Sequence, residues 1–178
     1  MMEIPLHQNI IRFRGAKFNE SEPSILEFDF ANNGEFYDYV ANSNGFPEKY
    51  TRFFFKQLVS ALEHIQKFKY CHRDLKLQNI MVDSEYNLRI IDFGFAAKLN
   101  GKLLDENLGS KYYYPHEIYF NKLYKGDKAD IFSLGCILFI MRTGLPIFDY
   151  PSKKTYKLCR IDSDYFWDYV KKSCPISP

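Results

Sequence analysis

The sequence predicts an α+β fold in which a few short strands accompany a larger share of helix. Three observations lead to this prediction: short β-branched runs near the N-terminus, a long segment of helical periodicity after Pro47, and a nearly continuous apolar segment from Ile131 to Met141. The chain has 178 residues, which is long enough for one domain with a sizeable hydrophobic core.

The first predicted elements are two strands near the N-terminus. The runs NIIRFRGA and SILEFDF are short, apolar and β-branched, and the polar stretch KFNESEP separates them. Two such runs with a polar connection indicate two strands joined by a turn. The stretch ANNG then ends the extended pattern.

A long helix is predicted from Pro47, because proline is well suited to the first helical position. In the segment EKYTRFFFKQLVSALEHIQKF, the residues Phe54, Leu58, Leu62 and Ile65 recur at helical spacing. The helix should therefore bury one apolar stripe.

A tight hairpin, a loop and a second long helix are predicted to follow. The runs NIMVD and NLRIIDF flank the polar turn from Ser84 to Asn87 and indicate two short strands. The segment FAAKLNGKLLDENLGSK has no sustained period and two glycines, so we interpret it as a loop. The segment KADIFSLGCILFIMRTG is apolar nearly all round up to Met141 and ends at Gly144, which predicts a helix buried inside the protein.

Composition excludes several classes of partner. Lysine and arginine number 24 against 22 acidic residues, so we expect neither nucleic acid nor a membrane surface as partner. The N-terminal stretch MMEIPLHQNI lacks the apolar core of a signal peptide, and no apolar run approaches the roughly 20 residues of a spanning helix. The four cysteines lie without metal-site spacing, which favours reduced thiols and a cytoplasmic or nuclear location; they are Cys71, Cys136, Cys159 and Cys174.

The chemistry is concentrated in CHRDLKLQN and at the far strand of the hairpin. If the two hairpin strands pair, Asn79 begins one and Asp92 ends the other, so both side chains can converge near Asp74. Their hard oxygen atoms suit magnesium and a phosphate chain. Lys76 supplies a compact positive charge for a developing oxyanion. Phosphoryl transfer requires this combination and little covalent help from the protein.

The stretch HRDLKLQN, followed by IDFG, resembles the catalytic loop and the metal-binding loop of the eukaryotic protein kinases. The resemblance implies that Asp74 deprotonates the substrate hydroxyl, Lys76 contacts the transferred phosphate, and Asn79 and Asp92 hold Mg. Arg73 would face the activation loop. A lysine two positions after the aspartate resembles the serine/threonine branch, which implies ATP and a protein serine or threonine as substrates.

The segment ILEFDFANNGEFYDYV resembles the fifth strand, hinge and following helix of these kinases. On that alignment Phe28 lies at the gatekeeper position, Asp29 to Ala31 offer backbone hydrogen bonds to adenine, and Glu35 hydrogen-bonds ribose. Met81 would line the adenine pocket. The segment GEFYDYV also resembles the calcium/calmodulin-dependent and energy-sensing kinase group.

Two further segments resemble the same family. GSKYYYPHE resembles the end of the activation segment, with Ser110 near the catalytic aspartate, and DIFSLG resembles the start of the central helix, where Asp130 would brace the catalytic loop. Four residues match the apolar spine of the family: Met2, Phe13, His72 and Phe93.

One departure from the family lies in the predicted loop. No serine, threonine or tyrosine occurs between Phe95 and Leu108, and Asp105 and Glu106 occupy the place where many relatives carry a phosphorylated residue. A fixed negative charge there would pair with Arg73 and order the loop without phosphorylation. The alternative is an exposed acidic loop, since surface ion pairs are weak.

By this resemblance the chain is a partial protein kinase domain, with a small-lobe remnant and hinge at residues 1–30 and a mostly helical large lobe at residues 31–178. The glycine-rich loop and the ATP-binding lysine of the family have no counterpart in it, which predicts low stability or inactivity of this chain alone. Two functions compete: an ATP-dependent protein serine/threonine kinase, and a non-catalytic, pseudokinase-like binding or scaffold protein. A small-molecule phosphotransferase is a third alternative. Magnesium-dependent ATP binding separates the first two.

Overall fold

The structure, a computed structural model, describes residues 4–18 and 24–147. The α+β fold class is confirmed. Six short strands are present in the described part, namely β1 (Phe13–Lys17), β2 (Ile25–Phe28), β3 (Tyr70–Cys71), β4 (Ile80–Val82), β5 (Leu88–Ile90) and β6 (Ala97–Lys98). The helices there are α1 (Phe36–Ser43), α2 (Glu48–Lys67), α3 (His116–Tyr119) and α4 (Gly126–Thr143), with single 3-10 turns at Leu77–Asn79 and Lys111–Tyr113. The expectations on Met2, Cys159, Cys174 and the end of the large lobe fall outside the described residues.

The strands pair two by two, and each pair is antiparallel. β1 pairs with β2, β3 with β6, and β4 with β5. The pairing of β1 with β2 confirms the two predicted N-terminal strands, and Phe13 lies opposite Phe28 with their rings 5.5 Å apart. All four residues of β2 are exposed.

The short segment before β1 attaches it to the rest of the protein. Asn9 is 1 % exposed, and its side-chain amide donates to the Gln57 side chain at 2.8 Å and to the Leu88 carbonyl at 3.0 Å. Ile10 forms a parallel bridge with Ile90 of β5. The first strands are thereby held against α2 and the β4–β5 hairpin.

The long helix was predicted correctly and begins one residue later than expected. Pro47 is the N-cap rather than the first helical residue, because its ψ of 149° is extended while its φ of −53° would suit either position. Leu58, Leu62 and Ile65 are buried, and Phe54 is partly buried against the core. The apolar stripe thus faces inward as its spacing indicates.

The main core lies between α1, α2, α4 and the β4–β5 hairpin. Its best-buried side chains are at most 1 % exposed and include Phe36, Val40, Leu58, Ile80, Val82, Leu88, Ile90, Ile137 and Met141. Cys71 and Cys136 are buried free thiols, and burial raises the pKa of Cys71 to about 11 and that of Cys136 to about 12. Both cysteines therefore act as packing residues.

The second long helix is buried on one side only, so the prediction of burial all round was wrong. Leu134, Ile137 and Met141 are buried, whereas Ile131 is 48 % exposed and Gly135 is also exposed. Ile131 and Gly135 lie one turn apart, on the side of the helix away from the buried Ser133 and Ile137. An apolar sequence does not decide which side of a helix finds neighbours.

The segment from Phe95 to Lys111 is mostly loop, as predicted, but contains two short ladders. Ala97 and Lys98 form β6, and Leu104 pairs with Tyr124 in an isolated bridge. The partners of both ladders lie far away in sequence, so the segment shows no period of its own. Among the described helices, none contains an apolar stretch long enough to cross a membrane.

Candidate active site

The β4–β5 hairpin brings Asn79 and Asp92 to the same end of one ladder. Ile80 pairs with Ile90, and the Ile91 amide donates to the Asn79 carbonyl at 3.0 Å, which extends the ladder by one bond. Asn79 therefore lies just before β4 and Asp92 just after β5. Asp92 is exposed and has a positive φ of 58°, and its side chain accepts a hydrogen bond from the Gly94 amide at 3.2 Å.

Asp74 is a buried acid held through one of its two carboxylate oxygens. Its side chain is 5 % exposed, and its Oδ2 accepts hydrogen bonds from Lys76 Nζ at 2.8 Å and from Asn79 Nδ2 at 3.1 Å. Asn79 Nδ2 also donates to the Asp74 carbonyl at 2.9 Å. The other carboxylate oxygen, Oδ1, is buried without a hydrogen-bond partner in the described structure. The three predicted catalytic residues, Asp74, Lys76 and Asn79, are thus in direct contact.

Ser110 joins this group through Lys76, whose Nζ donates to the Ser110 hydroxyl at 3.0 Å. A cavity of about 10 Å³, the volume of roughly one water probe, borders on Asp74, Ser110 and Asp130. Gly109 closes the same side of the site: a Cβ on this residue would lie 3.3 Å from Asp74 Oδ1. The same Cβ would collide with the Arg73 carbonyl oxygen, so only glycine fits at this position.

Asp130 holds the backbone before Asp74, as its predicted bracing role requires. It is 1 % exposed, and its two oxygens accept the His72 amide at 2.7 Å and the Arg73 amide at 2.8 Å. Arg73 has a positive φ of 68°, a conformation that costs a residue with a side chain about 1–2 kcal/mol. The two hydrogen bonds that Asp130 accepts from this backbone offset that strain. Burial raises the pKa of Asp130 to about 7, although the two backbone amides act in the opposite direction.

His72 connects the two loops that carry the acids. Its Nδ1 accepts the Asp74 amide at 3.3 Å and its Nε2 lies 2.9 Å from the Ile91 carbonyl, so the hydrogen-bond network assigns a neutral ring protonated on Nε2. Burial lowers the pKa of His72, against the opposing effects of the Ile91 carbonyl and of the nearby Asp74 and Asp92. The His72 ring lies 4.7 Å from the Phe93 ring.

Three of the four residues that match the apolar spine of the family lie in the described structure, and only two of them are shown in contact with each other. His72 and Phe93 touch each other, whereas the ring partner of Phe13 in the described structure is Phe28.

Arg73 pairs with the acidic loop, and Glu106 rather than Asp105 is its partner. Arg73 Nη1 lies 2.6 Å from Glu106 Oε2, and Arg73 Nε donates to the Phe95 carbonyl. The Arg73 side chain is 8 % exposed, whereas that of Glu106 is 58 % exposed. Burial opposes the charge on Arg73, but hydrogen bonding with Glu106 and Tyr124 raises its pKa. Of the two alternatives that the sequence left open, the ion pair with Arg73 is therefore the one present.

The predicted adenine contacts lie at the hinge between β2 and α1. The Asp29 amide is already bound to the Arg12 carbonyl at 2.9 Å, so its amide is not available to a ligand. Within residues 4–18 and 24–147, the Asp29 carbonyl and both backbone groups of Ala31 make no hydrogen bond. Phe28, at the proposed gatekeeper position, is 49 % exposed.

Glu35 and Met81 are neighbours in the structure. They form an antiparallel bridge, next to the bond from the Val82 amide to the Gly34 carbonyl at 2.9 Å. Glu35 is the exposed N-cap of α1 and makes no capping bond with its side chain, and Met81 is partly buried. The ribose and adenine contacts proposed for these two residues would thus lie side by side.

The residues present fit a phosphate-bound magnesium ion better than a protein-only metal cage. No group of three or more histidine, cysteine or acidic side chains suited to a metal occurs in the described residues. Magnesium, however, is commonly bound through one or two carboxylates together with phosphate and water. The Asn79 nitrogen is occupied by Asp74, so its oxygen remains for a cation, as does the exposed carboxylate of Asp92.

Sequence reasoning missed two residues of this region, Tyr124 and Gly109. The Tyr124 hydroxyl donates to the Glu106 carbonyl at 2.9 Å, and Gly109, with a φ of +104°, lies against the Arg73 carbonyl. With 14 tyrosines in the chain, one more tyrosine carries no distinguishing signal. The glycine next to Ser110 was part of a recognised segment, but its contact could not be predicted.

Comparison with known proteins agrees with the geometry. Residues 1–174 match the family described as protein kinase domain. The probable serine/threonine-protein kinase MARK-B of Dictyostelium discoideum is 39 % identical over 140 residues, which cover 78 % of this chain and 20 % of that protein. The maternal embryonic leucine zipper kinase of Danio rerio is 35 % identical over 146 residues (80 % and 21 %), and the human NUAK family SNF1-like kinase 2 is 36 % identical over 144 residues (80 % and 23 %). The chain spans about a fifth of the length of these relatives.

Proposed function

Because the chain belongs to the protein kinase domain family, we propose that it carries the catalytic centre of an ATP- and magnesium-dependent serine/threonine protein kinase. The reaction is transfer of the γ-phosphate of ATP to a hydroxyl of a protein substrate. The observation that supports this best is the state of Asp74: Lys76 and Asn79 bind one carboxylate oxygen, and the other has no partner.

Asp74 acts as the general base through its unpartnered oxygen. Lys76 and Asn79 fix the carboxylate through Oδ2, so Oδ1 is left to accept the proton of the substrate hydroxyl. Proton transfer to a positioned base contributes about 10²- to 10⁴-fold to a rate. Because Oδ1 is buried beside Gly109, the substrate reaches it only when the segment around Gly109 and Ser110 moves aside.

Lys76 carries the positive charge of the site. Its Nζ is held between Asp74 and Ser110, so it is oriented before the substrate arrives. A preorganised charge of this kind stabilises negative charge on the transferred phosphate without reorganising in the transition state. Asn79 and Asp92 would hold magnesium, which supplies charge neutralisation on the phosphates when bound.

ATP would bind across the hinge. The carbonyl of Asp29 and the backbone groups of Ala31 have no partner within the described protein and are free to contact adenine. Met81 would pack under the base, and the exposed carboxylate of Glu35 would accept hydrogen bonds from ribose. The free thiols of Cys71 and Cys136 are consistent with a cytoplasmic or nuclear protein.

The test measures two properties of the full chain: binding of ATP with and without magnesium, and transfer of labelled phosphate to serine and threonine peptides. Asp92→Asn should abolish the magnesium dependence of ATP binding, whereas Asp74→Asn should leave binding intact and abolish transfer. Asp38→Asn, an exposed acid in the first turn of α1, is the control for loss of one negative charge.

Three outcomes would contradict the proposal. Absence of magnesium-dependent ATP binding, together with no transfer to any peptide, would indicate the binding or scaffold protein instead. Transfer to small alcohols but not to peptides would indicate a small-molecule phosphotransferase. Transfer that survives Asp74→Asn would remove Asp74 as the base.

A further inference from the structure

Tyr124 is joined to the loop before Gly109 by three hydrogen bonds. Its hydroxyl donates to the Glu106 carbonyl at 2.9 Å, while its backbone exchanges two bonds with Leu104, at 2.8 and 2.9 Å. Tyr124 is 2 % exposed, so this attachment is made inside the protein. The backbone of Glu106 is therefore fixed by a residue 18 positions further along the chain.

The same tyrosine lies against the guanidinium of Arg73. Burial raises the pKa of Tyr124, although Arg73 acts in the opposite direction, so the phenol remains a protonated donor at neutral pH. Arg73 is thus surrounded by the Glu106 carboxylate, the Phe95 carbonyl and the Tyr124 hydroxyl. Tyr124 therefore contacts both partners of the ion pair: the backbone of Glu106 and the side chain of Arg73.

The stretch that begins at Glu106 ends at Gly109, which lies beside the proposed general base Asp74. The Tyr114 hydroxyl donates to the Gly109 carbonyl at 3.0 Å, and Gly109 lies against the Arg73 carbonyl and Asp74 Oδ1. Two tyrosine hydroxyls therefore hold the stretch from Glu106 to Gly109 at its two ends. Glu106 thus lies three positions before Gly109, the residue that packs against the oxygen that would accept the substrate proton.

We propose that Tyr124 is a positioning residue for the reaction: its hydroxyl fixes the backbone of Glu106, so that the Glu106 carboxylate meets Arg73 beside Asp74. The catalytic part of this inference rests on the proposed function. The structural part, that the Tyr124 hydroxyl governs the Arg73–Glu106 ion pair, is independent of it.

The first experiment follows the Arg73 side chain by NMR in the full chain labelled with ¹⁵N-arginine, with its signal assigned from an Arg73→Lys sample. In Tyr124→Phe, the Arg73 Nη1 protons, which face the Glu106 carboxylate, should exchange with solvent about tenfold faster, which corresponds to the loss of one ordinary hydrogen bond. Tyr113→Phe is the matched control, because Tyr113 is also a buried tyrosine but its hydroxyl bonds to the backbone at Leu77. The control should leave the Arg73 signal unchanged.

The second experiment tests whether Tyr124 and the Glu106 carboxylate act as a unit. Urea unfolding of Tyr124→Phe, Glu106→Gln and the double variant gives three changes in the unfolding equilibrium constant. If Tyr124 presents Glu106 to Arg73, the double variant should change the constant about as much as the more damaging single variant. If the two residues acted independently, the fold-changes of the two single variants in the unfolding equilibrium constant would multiply in the double variant.

A third measurement leaves Tyr124 unaltered and so covers the case in which Tyr124→Phe does not fold. With ¹³C-labelled tyrosine, Glu106→Gln should shift the ring signal of Tyr124, whereas Asp105→Asn should not, because Asp105 does not pair with Arg73. If the chain transfers phosphate, Tyr124→Phe should also lower kcat and leave the KM for ATP unchanged, since the hinge is untouched.

The inference is overturned if Arg73 exchange is equal in Tyr124→Phe and Tyr113→Phe, if the two changes multiply, or if Glu106→Gln leaves the Tyr124 ring signal in place. These measurements need neither ATP nor a peptide. An inactive chain with the expected NMR changes would therefore refute the proposed function alone.

Discussion

Replacing Gly109 by alanine is expected to destabilise the protein much more than the same change at Gly101. A Cβ on Gly109 would lie 2.4 Å from the Arg73 carbonyl oxygen and 3.3 Å from Asp74 Oδ1, with φ at +104°. At Gly101 the backbone also has a positive φ, +81°, but a Cβ would meet nothing within 4 Å. Gly101 is therefore a matched control for backbone strain without collision.

The expected magnitudes follow from these two terms. Left-handed backbone costs a residue with a Cβ about 1–2 kcal/mol, and this applies to both positions. Overpacking against a fixed neighbour adds about 1–3 kcal/mol, and this applies to Gly109 alone. We expect a loss of about 1–2 kcal/mol for Gly101→Ala and about 2–5 kcal/mol for Gly109→Ala.

Equilibrium urea unfolding of the full chain measures both losses. With a slope of about 1–3 kcal/mol per molar urea, a difference of about 2 kcal/mol places the midpoint of Gly109→Ala about 1 M below that of Gly101→Ala. If the chain transfers phosphate, Gly109→Ala should also impair transfer, because the displaced carbonyl directly precedes Asp74. Equal midpoints for the two variants would refute the close packing of Gly109 on the catalytic loop.

Two further predictions concern the core and pH. Ile137 is 0 % exposed, so Ile137→Ala should lower the free energy of unfolding by about 2–5 kcal/mol. Ile131 is 48 % exposed on the same helix, so Ile131→Ala should change it by about 0.5 kcal/mol or less. Similar losses for the two variants in urea unfolding would contradict the one-sided packing of α4. Burial raises the pKa of Asp130 from 3.8 to about 7, so the native state retains a proton that the unfolded chain has lost, and stability falls as pH rises through that interval. Asp130→Asn removes this contribution, so the stability of the unaltered chain relative to the variant should decrease between about pH 5 and about pH 8, and an increase would exclude the raised pKa.

The parts of the fold that could be predicted from sequence have local signals. The stripe of Leu58, Leu62 and Ile65 lies within one helix, and the β4–β5 hairpin connects strands across a few turn residues. Both patterns arise within one short stretch of sequence, so they can be recognised without knowing what packs around it. The two residues of β6 and the exposure of Ile131 depend on partners far away in the chain, and no local pattern reports them.

The candidate site likewise has features that could be predicted from the sequence and features that could not. Spacing along the hairpin was enough to predict that Asn79 and Asp92 lie at one end of it. For the acidic loop, the sequence left two alternatives open, a pair with Arg73 and an exposed loop, and the structure shows the pair. Spacing could not show that Glu106 rather than Asp105 makes the pair, nor that Tyr124 holds its backbone. These details depend on how a loop without a sequence period folds back over the candidate site residues.

The contact between Asn79 and Asp74 has a consequence for which side chains position 79 can accept. Aspartate is the stronger ligand of the two for a divalent cation, and on metal chemistry alone it would be the better choice. Here, however, the nitrogen of the amide faces Asp74, so an aspartate would direct a second negative oxygen to within about 3 Å of the first. Such like-charge proximity drives a proton onto one of the two acids and would deprive the site of either its proposed base or its proposed cation ligand. Asparagine therefore offers an oxygen to a cation without placing a second negative charge beside Asp74.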